Sequence, residues 1–235
     1  MAYAFLKPVL ISTSTLMLGL LLPMAASASP DGQPFRQEFR VSSSGVPVSI
    51  NAERRLRQLD DSTWQMEVEA KNLIGRIREV TRFEWQDCTP LTTYYSYLRQ
   101  GLGQKREASM VLDRDKGVAD VIRNGSARQY PIDHDTTDKL SQTLALQCKL
   151  QRGDTELVMD VADERGREQQ RYLNQGEEWL QTPAGSLRTV RVIRDRDPHD
   201  ERQTSLWFAV DHNFALVKLV QEEQNQRHEM VIRSL

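Results

Sequence analysis

The chain has 235 residues, with 31 Lys+Arg against 33 Asp+Glu, 4 His, 2 Cys, 12 Gly and 9 Pro. A balance this close to neutral, with no basic run, excludes a protein built to grip phosphate backbones. At 39% apolar and 27% charged residues, the composition also excludes a disordered chain.

Residues 1–28 carry one charge, Lys7, and no acid. An apolar run from Val9 to Leu22 is followed by Pro23 and by Ala26-Ser27-Ala28, an Ala-x-Ala cleavage pattern. That layout predicts a secretory signal peptide, with a membrane anchor as the alternative. No Cys lies near the cleavage site to accept a lipid, and no later stretch approaches the roughly 18 apolar residues of a membrane span. The expectation is an exported, soluble, unlipidated protein without a transmembrane segment, periplasmic where the cell has two membranes. Residues 29–235 then form a single domain, large enough to bury about 70% of its unfolded surface.

That domain reads as strands. Trp64, Met66, Val68 and Ala70 alternate with Gln65, Glu67, Glu69 and Lys71, the pattern of a strand with one wet face. Val48, Ile50 and Ala52 follow a Ser-Gly turn, and Val80–Gln86, Thr92–Arg99 and Lys105–Leu112 continue the series. Leu73–Arg78 reads as a short helical turn or a bend. Turns are predicted at Asp113–Gly117, Asn124-Gly125, Arg152-Gly153, Glu164–Gly166, Asn174–Gly176 and Pro183–Gly185; Asn-Gly is the strongest hairpin signal among them. Between and after these lie strands at Leu157–Val161, Gln169–Leu173, Leu187–Arg194, Thr204–Val210, Leu216–Glu222 and Glu229–Ile232. One segment differs. Leu140, Leu144 and Cys148 are four apart and predict a helix near 137–150, capped by Thr136 or Thr137 and stopped at Gly153. The fold class expected is mainly β: a large curved antiparallel or barrel-like sheet with one helix packed against it, or else a flat two-sheet sandwich.

Cys88 and Cys148 are the only cysteines. In an oxidising compartment an even count suggests a bridge, with free buried thiols as the alternative. The bridge would close a 60-residue loop, about 4 kcal/mol in the chain-entropy model. Neither Cys has a neighbour at metal-ligand or redox spacing, so no metal is expected.

Catalytic signals are weak. Asp211 and His212 are adjacent, and in a strand they would face opposite ways. Asp133-His134-Asp135 lies in a polar stretch before the helix. Asp113-x-Asp115-x-Gly117 has its glycine one place early for a calcium loop, and the twelfth position is Asn124. Arg188, Arg191, Arg194, Arg196 and Arg202 are interleaved with acids and read as a solvated loop or an electrostatic docking loop. No nucleophile-elbow, zinc-helix or phosphate-loop pattern occurs, and no cofactor is expected. The aromatics Tyr94, Tyr95, Tyr97, Trp179 and Trp207, together with Trp85, are candidates for lining a ligand cavity; filling the core is the alternative.

The stretches Pro90-Leu-Thr-Thr-Tyr-Tyr-Ser-Tyr97, Glu177-Glu-Trp-Leu-Gln-Thr-Pro-Ala-Gly185, Leu206-Trp-Phe-Ala-Val-Asp211 and Leu216-Val-Lys-Leu-Val-Gln221 fall in a characteristic order. Together they resemble the bacterial exported family catalogued as domain of unknown function 3108, over roughly Phe35 to Leu235. The family often has Pro where this chain has Ala215 or Val217. The resemblance implies no reaction and no catalytic residue; it implies a curved antiparallel sheet like those of periplasmic lipoprotein carriers and sensors.

The function expected is therefore a non-catalytic binding or chaperone-like module of the cell envelope. It would hold an apolar ligand, a lipid or a segment of another envelope protein in a concave sheet. The alternatives are a hydrolase acting on envelope lipid or polymer, and a structural assembly protein. Mass spectrometry of the protein isolated from its own cells is expected to give Ser29 as the first residue; chains beginning at Met1 would overturn the export reading.

Overall fold

A computed structural model describes residues 32–73, 75–101, 103–197 and 200–235, with the backbone alone at residues 46–48. The leader sequence, the cleavage site and His199 lie outside the described residues. In chain order the strands are β1 (Phe35–Ser43), β2 (Val46–Gln58), β3 (Thr63–Asn72), β4 (Gly75–Gln86), β5 (Thr89–Gly101), β6 (Gln104–Asp113), β7 (Val118–Arg123), β8 (Ser126–Pro131) and β9 (Thr137–Asp138). The helix α1 (Gln142–Arg152) follows, then β10 (Leu157–Asp163), β11 (Gly166–Thr182), β12 (Gly185–Asp195), β13 (Arg202–Ala209), β14 (Ala215–Glu223) and β15 (Gln226–Ser234).

All fifteen strands form one sheet in the order β8-β7-β6-β5-β4-β3-β2-β1-β15-β14-β13-β12-β11-β10-β9. It is not a two-sheet sandwich. Every neighbouring pair is antiparallel except β9 with β10, which are joined by the crossover through α1. The two ends of the described chain meet at mid-sheet, where β1 pairs with β15. The edges β8 and β9 are not hydrogen-bonded to each other, so the sheet is open. It is nevertheless curled: Tyr130 Oη on β8 donates to the carbonyl of Asp163 at the end of β10, 2.6 Å away across the seam.

Strand formation follows the alternation. In β3, Trp64, Met66 and Ala70 are buried. The Asn124-Gly125 turn uses positive φ at both residues, 48° and 84°, as a tight hairpin with right-handed strand twist demands. Three sequence readings change. Asn174–Gly176 is a bulge and not a turn: β11 runs on through it, and its register against β12 shifts between Asn174 and Glu177. Of the stretch Leu73–Arg78, residue 74 lies outside the described residues, and Gly75–Arg78 is already the start of β4. The basic stretch after Arg188 is mostly the strands β12 and β13.

The helix fills the hollow of the sheet. Leu144 packs with Leu56, Met66, Tyr95 and Met110 of the first half of the sheet. Ala145, Leu146 and Leu150 pack with Val192, Leu206 and Phe208 of the second. Gly153 ends the helix in the left-handed conformation, φ 75°. Its start differs from the expected one. Ser141 is the N-cap, and Thr137-Asp138 is pulled into β9.

The reason is a buried carboxylate. Asp138 is fully buried. Its Oδ1 accepts from the backbone N–H of Leu140 (2.7 Å) and Ser141 (3.2 Å). Its Oδ2 accepts from the hydroxyls of Thr81, Thr92 and Ser141, each at 2.6 Å. Five donors tie β4 and β5 to the helix start. Arg114 fastens the approach, donating to the carbonyls of Thr92, His134 and Thr136.

Two more charged groups reach the interior, Arg54 buried and Glu79 half-buried. Arg54, 1% exposed, donates to Gln37 Oε1 and Thr143 Oγ1, both at 2.9 Å, and lies over the Phe35 ring. Burial lowers its pKa to about 9. Glu79 accepts from Tyr95 Oη at 2.8 Å, and burial raises its pKa despite the nearby Lys139 ammonium.

Asp138→Asn puts an NH2 group or a weaker acceptor where five donors converge. It is expected to cost about 3 kcal/mol in urea denaturation, since a buried polar group stripped of a charged partner costs that order. Glu79 gives a pH dependence of definite sign. Its folded pKa lies above its unfolded one, so the folded state holds its proton longer. Its contribution is complete below the ordinary glutamate range and is lost as pH rises through the raised value. Thermal melts between pH 4 and 8 should show Glu79→Gln losing less stability over that rise than the parent protein.

Candidate functional site

The packed interior leaves a cavity of about 680 Å³ at one end of the sheet. Chain order explains its walls. β1 begins there, supplying Phe35 and Gln37 behind Gly32–Pro34, and β2 contributes Leu56. Trp85, near the end of β4, stands edge-on to Phe83 at 5.3 Å and 87°. Gly32 crosses close to it: a Cβ there would come within 3.2 Å of Trp85 Nε1 and 3.1 Å of Leu56.

Just past β4, Cys88 is joined to Cys148 of the helix, with Cα atoms 5.3 Å apart. The helix presents Leu144, Gln147, Cys148 and Gln151 to the cavity. Opposite lies the corner between β13 and β14, one turn of 3-10 helix at Val210–His212 followed by Asn213 and Phe214. Asn213 and Phe214 both hold left-handed φ, 51° and 50°, a costly conformation for non-glycine residues. Gln147 and Gln151, one turn apart, hold the corner: each donates Nε2–H to the Asn213 carbonyl, at 2.9 and 2.7 Å.

Two polar atoms in these walls are buried and have no hydrogen-bond partner: the Trp85 Nε1 donor and the Gln147 Oε1 acceptor. Each such atom costs about 1–3 kcal/mol. Both atoms are covered, Trp85 Nε1 by the close passage of Gly32, so they lie behind the wall. The surface facing the cavity includes the apolar side chains of Phe35, Leu56 and Leu144.

The aromatics singled out in the sequence are not brought together, and none of the five lines the cavity. Tyr95 is fully buried in the core beside the helix, with its hydroxyl on Glu79. Tyr97 is half-buried, and Lys139 lies 5.2 Å from its ring. Tyr94 pairs with Arg82 and Val111 on the opposite face, with the Arg82 guanidinium over its ring. Trp179 is 69% exposed on the β11–β12 hairpin. Trp207 is buried, donates Nε1–H to Glu178, and has Arg191 and Lys218 over its ring. Trp85 is the aromatic of that set that reaches the cavity. The glutamines Gln147 and Gln151 went unread because neutral amides form no motif. Their spacing of four on the helix stripe next to Cys148 was the available signal.

The remaining sequence candidates find structural partners. Asp113 closes its hairpin by accepting the N–H of Lys116 at 3.0 Å. Asp133 pairs with Arg167, and Asp211 with Arg188, each at 2.7 Å. Arg194 pairs with Glu168, and Arg196 with Asp200. Among the described residues no cluster of His, Cys, Asp and Glu is arranged to hold a metal. His134, His212 and His228 are exposed. His228 Nδ1 lies 2.8 Å from Ser43 Oγ, a hydroxyl–imidazole contact that sequence inspection missed because the two residues are 185 apart. The contact sits across paired strands at a hairpin corner, away from the cavity.

Among solved structures, the chain resembles a beta-barrel-like protein of the domain of unknown function DUF1849 from Brucella abortus. The TM-score is 0.56 at 7% identity, over 85% of this chain and 95% of that one, so the likeness is one of fold. Weaker likenesses are to "a putative lipoprotein" from Parabacteroides distasonis (TM-score 0.35, 10% identity, 87% and 96% covered) and to "a putative exported protein with YmcC-like fold" from Bacteroides fragilis (TM-score 0.30, 11% identity, 85% and 93% covered). No curated protein matches the sequence. The model of the family described as Protein of unknown function (DUF3108) matches residues 38–233, and the chain belongs to that family.

Proposed function

We propose that the protein is an exported binding module of the cell envelope, and that its ligand occupies the cavity between the helix and the β13–β14 corner. The observation that carries this reading is the opening of about 680 Å³ with Phe35, Leu56 and Leu144 in its wall. A volume of that size lies in the range of small-molecule sites. The apolar part of the wall favours an apolar molecule, or an apolar segment of another envelope protein.

Export is supported by the leader-like residues 1–28 and by a disulfide, which persists in oxidising compartments. In this reading the mature chain, residues 29–235, is one unlipidated periplasmic domain. Binding is favoured over hydrolysis because the buried carboxylates have structural duties. Asp138 is saturated by five donors, and Glu79 is engaged by Tyr95.

Native mass spectrometry of protein purified from its own envelope is expected to show a bound apolar species. Phe35→Ala removes part of the apolar wall and should weaken retention about tenfold. Wild-type protein arriving empty, with tryptophan emission unmoved by envelope extracts, would sink the reading.

A further inference from the structure

The opposite end of the sheet has a second cavity, of about 340 Å³, lined by Ile50, Ala70, Ile77, Arg99 and Arg106 among others. Strand register shows how it is built. Ile232, Phe39, Ala52, Ala70, Ile77, Arg99 and Arg106 stand directly opposite one another in turn across β15, β1, β2, β3, β4, β5 and β6. Directly opposite residues share a face, so these seven form one row on the concave side. The row is core at first: Phe39 and Ile232 are fully buried, and Ala52 and Ala70 nearly so. It then turns basic at its last two places.

Arg99 and Arg106 are cross-strand partners of like charge, an arrangement that destabilises a sheet. Arginines on the neighbouring β4 are compensated: Arg76, which also lines the recess, pairs with Glu69, and Arg78 with Glu67. Among the described residues neither the Arg99 nor the Arg106 side chain has a hydrogen bond or an ion pair. The fold thus places two exposed arginines in cross-strand register at the mouth of an apolar recess.

We propose that this recess binds a phosphate monoester carried on an apolar chain, with the phosphoryl group between Arg99 and Arg106 and the chain against Ile50, Ala70 and Ile77. The charge balances, because a phosphate monoester near neutral pH carries about −1.5 to −2 against two cations. The geometry fits too. Each guanidinium is a planar fork matched to two oxygens, and three terminal oxygens serve two forks where a carboxylate serves one. The site is distinct from the first cavity: Ile50 and Leu56, which mark the two on β2, are six residues or about 20 Å apart along the strand.

Calorimetric titration of the mature protein with dodecyl phosphate below its micelle concentration, inorganic phosphate and dodecanol tests this directly. Dodecyl phosphate should bind at least tenfold more tightly than either of the others. Arg99→Gln and Arg106→Gln should each weaken it at least tenfold while leaving the melting temperature without ligand equal or higher, because the like-charge pair is relieved. Sedimentation with vesicles of phosphatidylcholine, with and without phosphatidic acid, identifies the source. Binding only to the acidic vesicles points to a membrane lipid. Binding to the monomeric ester but to neither vesicle points to a soluble amphiphile. Equal affinity for dodecanol, equal affinity for inorganic phosphate, or unchanged binding in the double variant would each overturn the proposal.

Discussion

The Asp138 carboxylate is the fastening on which the interior depends. Placing an ion of this kind in a core costs several kcal/mol even after relaxation, and the cost is offset only when its lone pairs are filled. Here they are filled from three directions: the helix's first turn, Thr81 of β4 and Thr92 of β5. No rotation or slide of the helix preserves all five bonds. The disulfide adds a second fixed point two turns further along. With both ends of the helix set, the gap between its exposed face and the β13–β14 corner cannot close by collapse. The first cavity is a consequence of that rigidity.

The same two constraints explain how a single sheet of fifteen strands is kept in register. Large twisted sheets tend to split or close. This one curls around a plug that contacts both halves: Leu144 serves one half of the core, and Leu146 and Leu150 the other. Its edges are short or blunted. β9 is two residues long, and β8 carries Arg128 and ends at Pro131, which offers no ladder donor. The arrangement also has a kinetic side. The central β1–β15 pairing joins residues as distant as Glu38 and Ser234, so the middle of the sheet is its most non-local contact. Such pairing is slow to form. Each half, in contrast, is a meander of local hairpins, apart from the β9–β10 crossover in the second.

Strand alternation, the Asn124-Gly125 turn and the helix stop at Gly153 were legible because each is a local backbone preference. What was not legible depends on distant partners. Thr137 and Asp138 look like the start of a helix, but β10 and the hydroxyls of Thr81 and Thr92 claim them first. Asn174–Gly176 looks like a turn; β12 continues alongside it, so the chain absorbs it as a bulge. The five aromatics are spread apart for a related reason. Tyr95 lies on an inner row near mid-sheet, where large side chains fill volume. The first cavity lies at the ends of the strands, where Trp85 sits. Gln147 and Gln151 carry no chemical signature until the corner at Asn213 is brought to them.

The two ends of the sheet are separated by filled rows. Between the Leu56 end and the Ile50 end of β2 lies Arg54, bonded to Gln37 and Thr143 and nearly without exposure. Met66 and Tyr95 are fully buried on the row beside it. A molecule cannot pass along the concave face without breaking the Arg54 contacts, which would strand a buried cation with no carboxylate near enough to compensate it. The curled sheet is therefore not a conduit. Its two openings differ in chemistry: the first has Phe35, Leu56 and Leu144 in its wall and an Arg152 already paired with Asp154, and the other is basic over an apolar floor. They are also thermodynamically independent unless the helix moves, and Asp138 and the Cys88–Cys148 bond are the groups that hold it still.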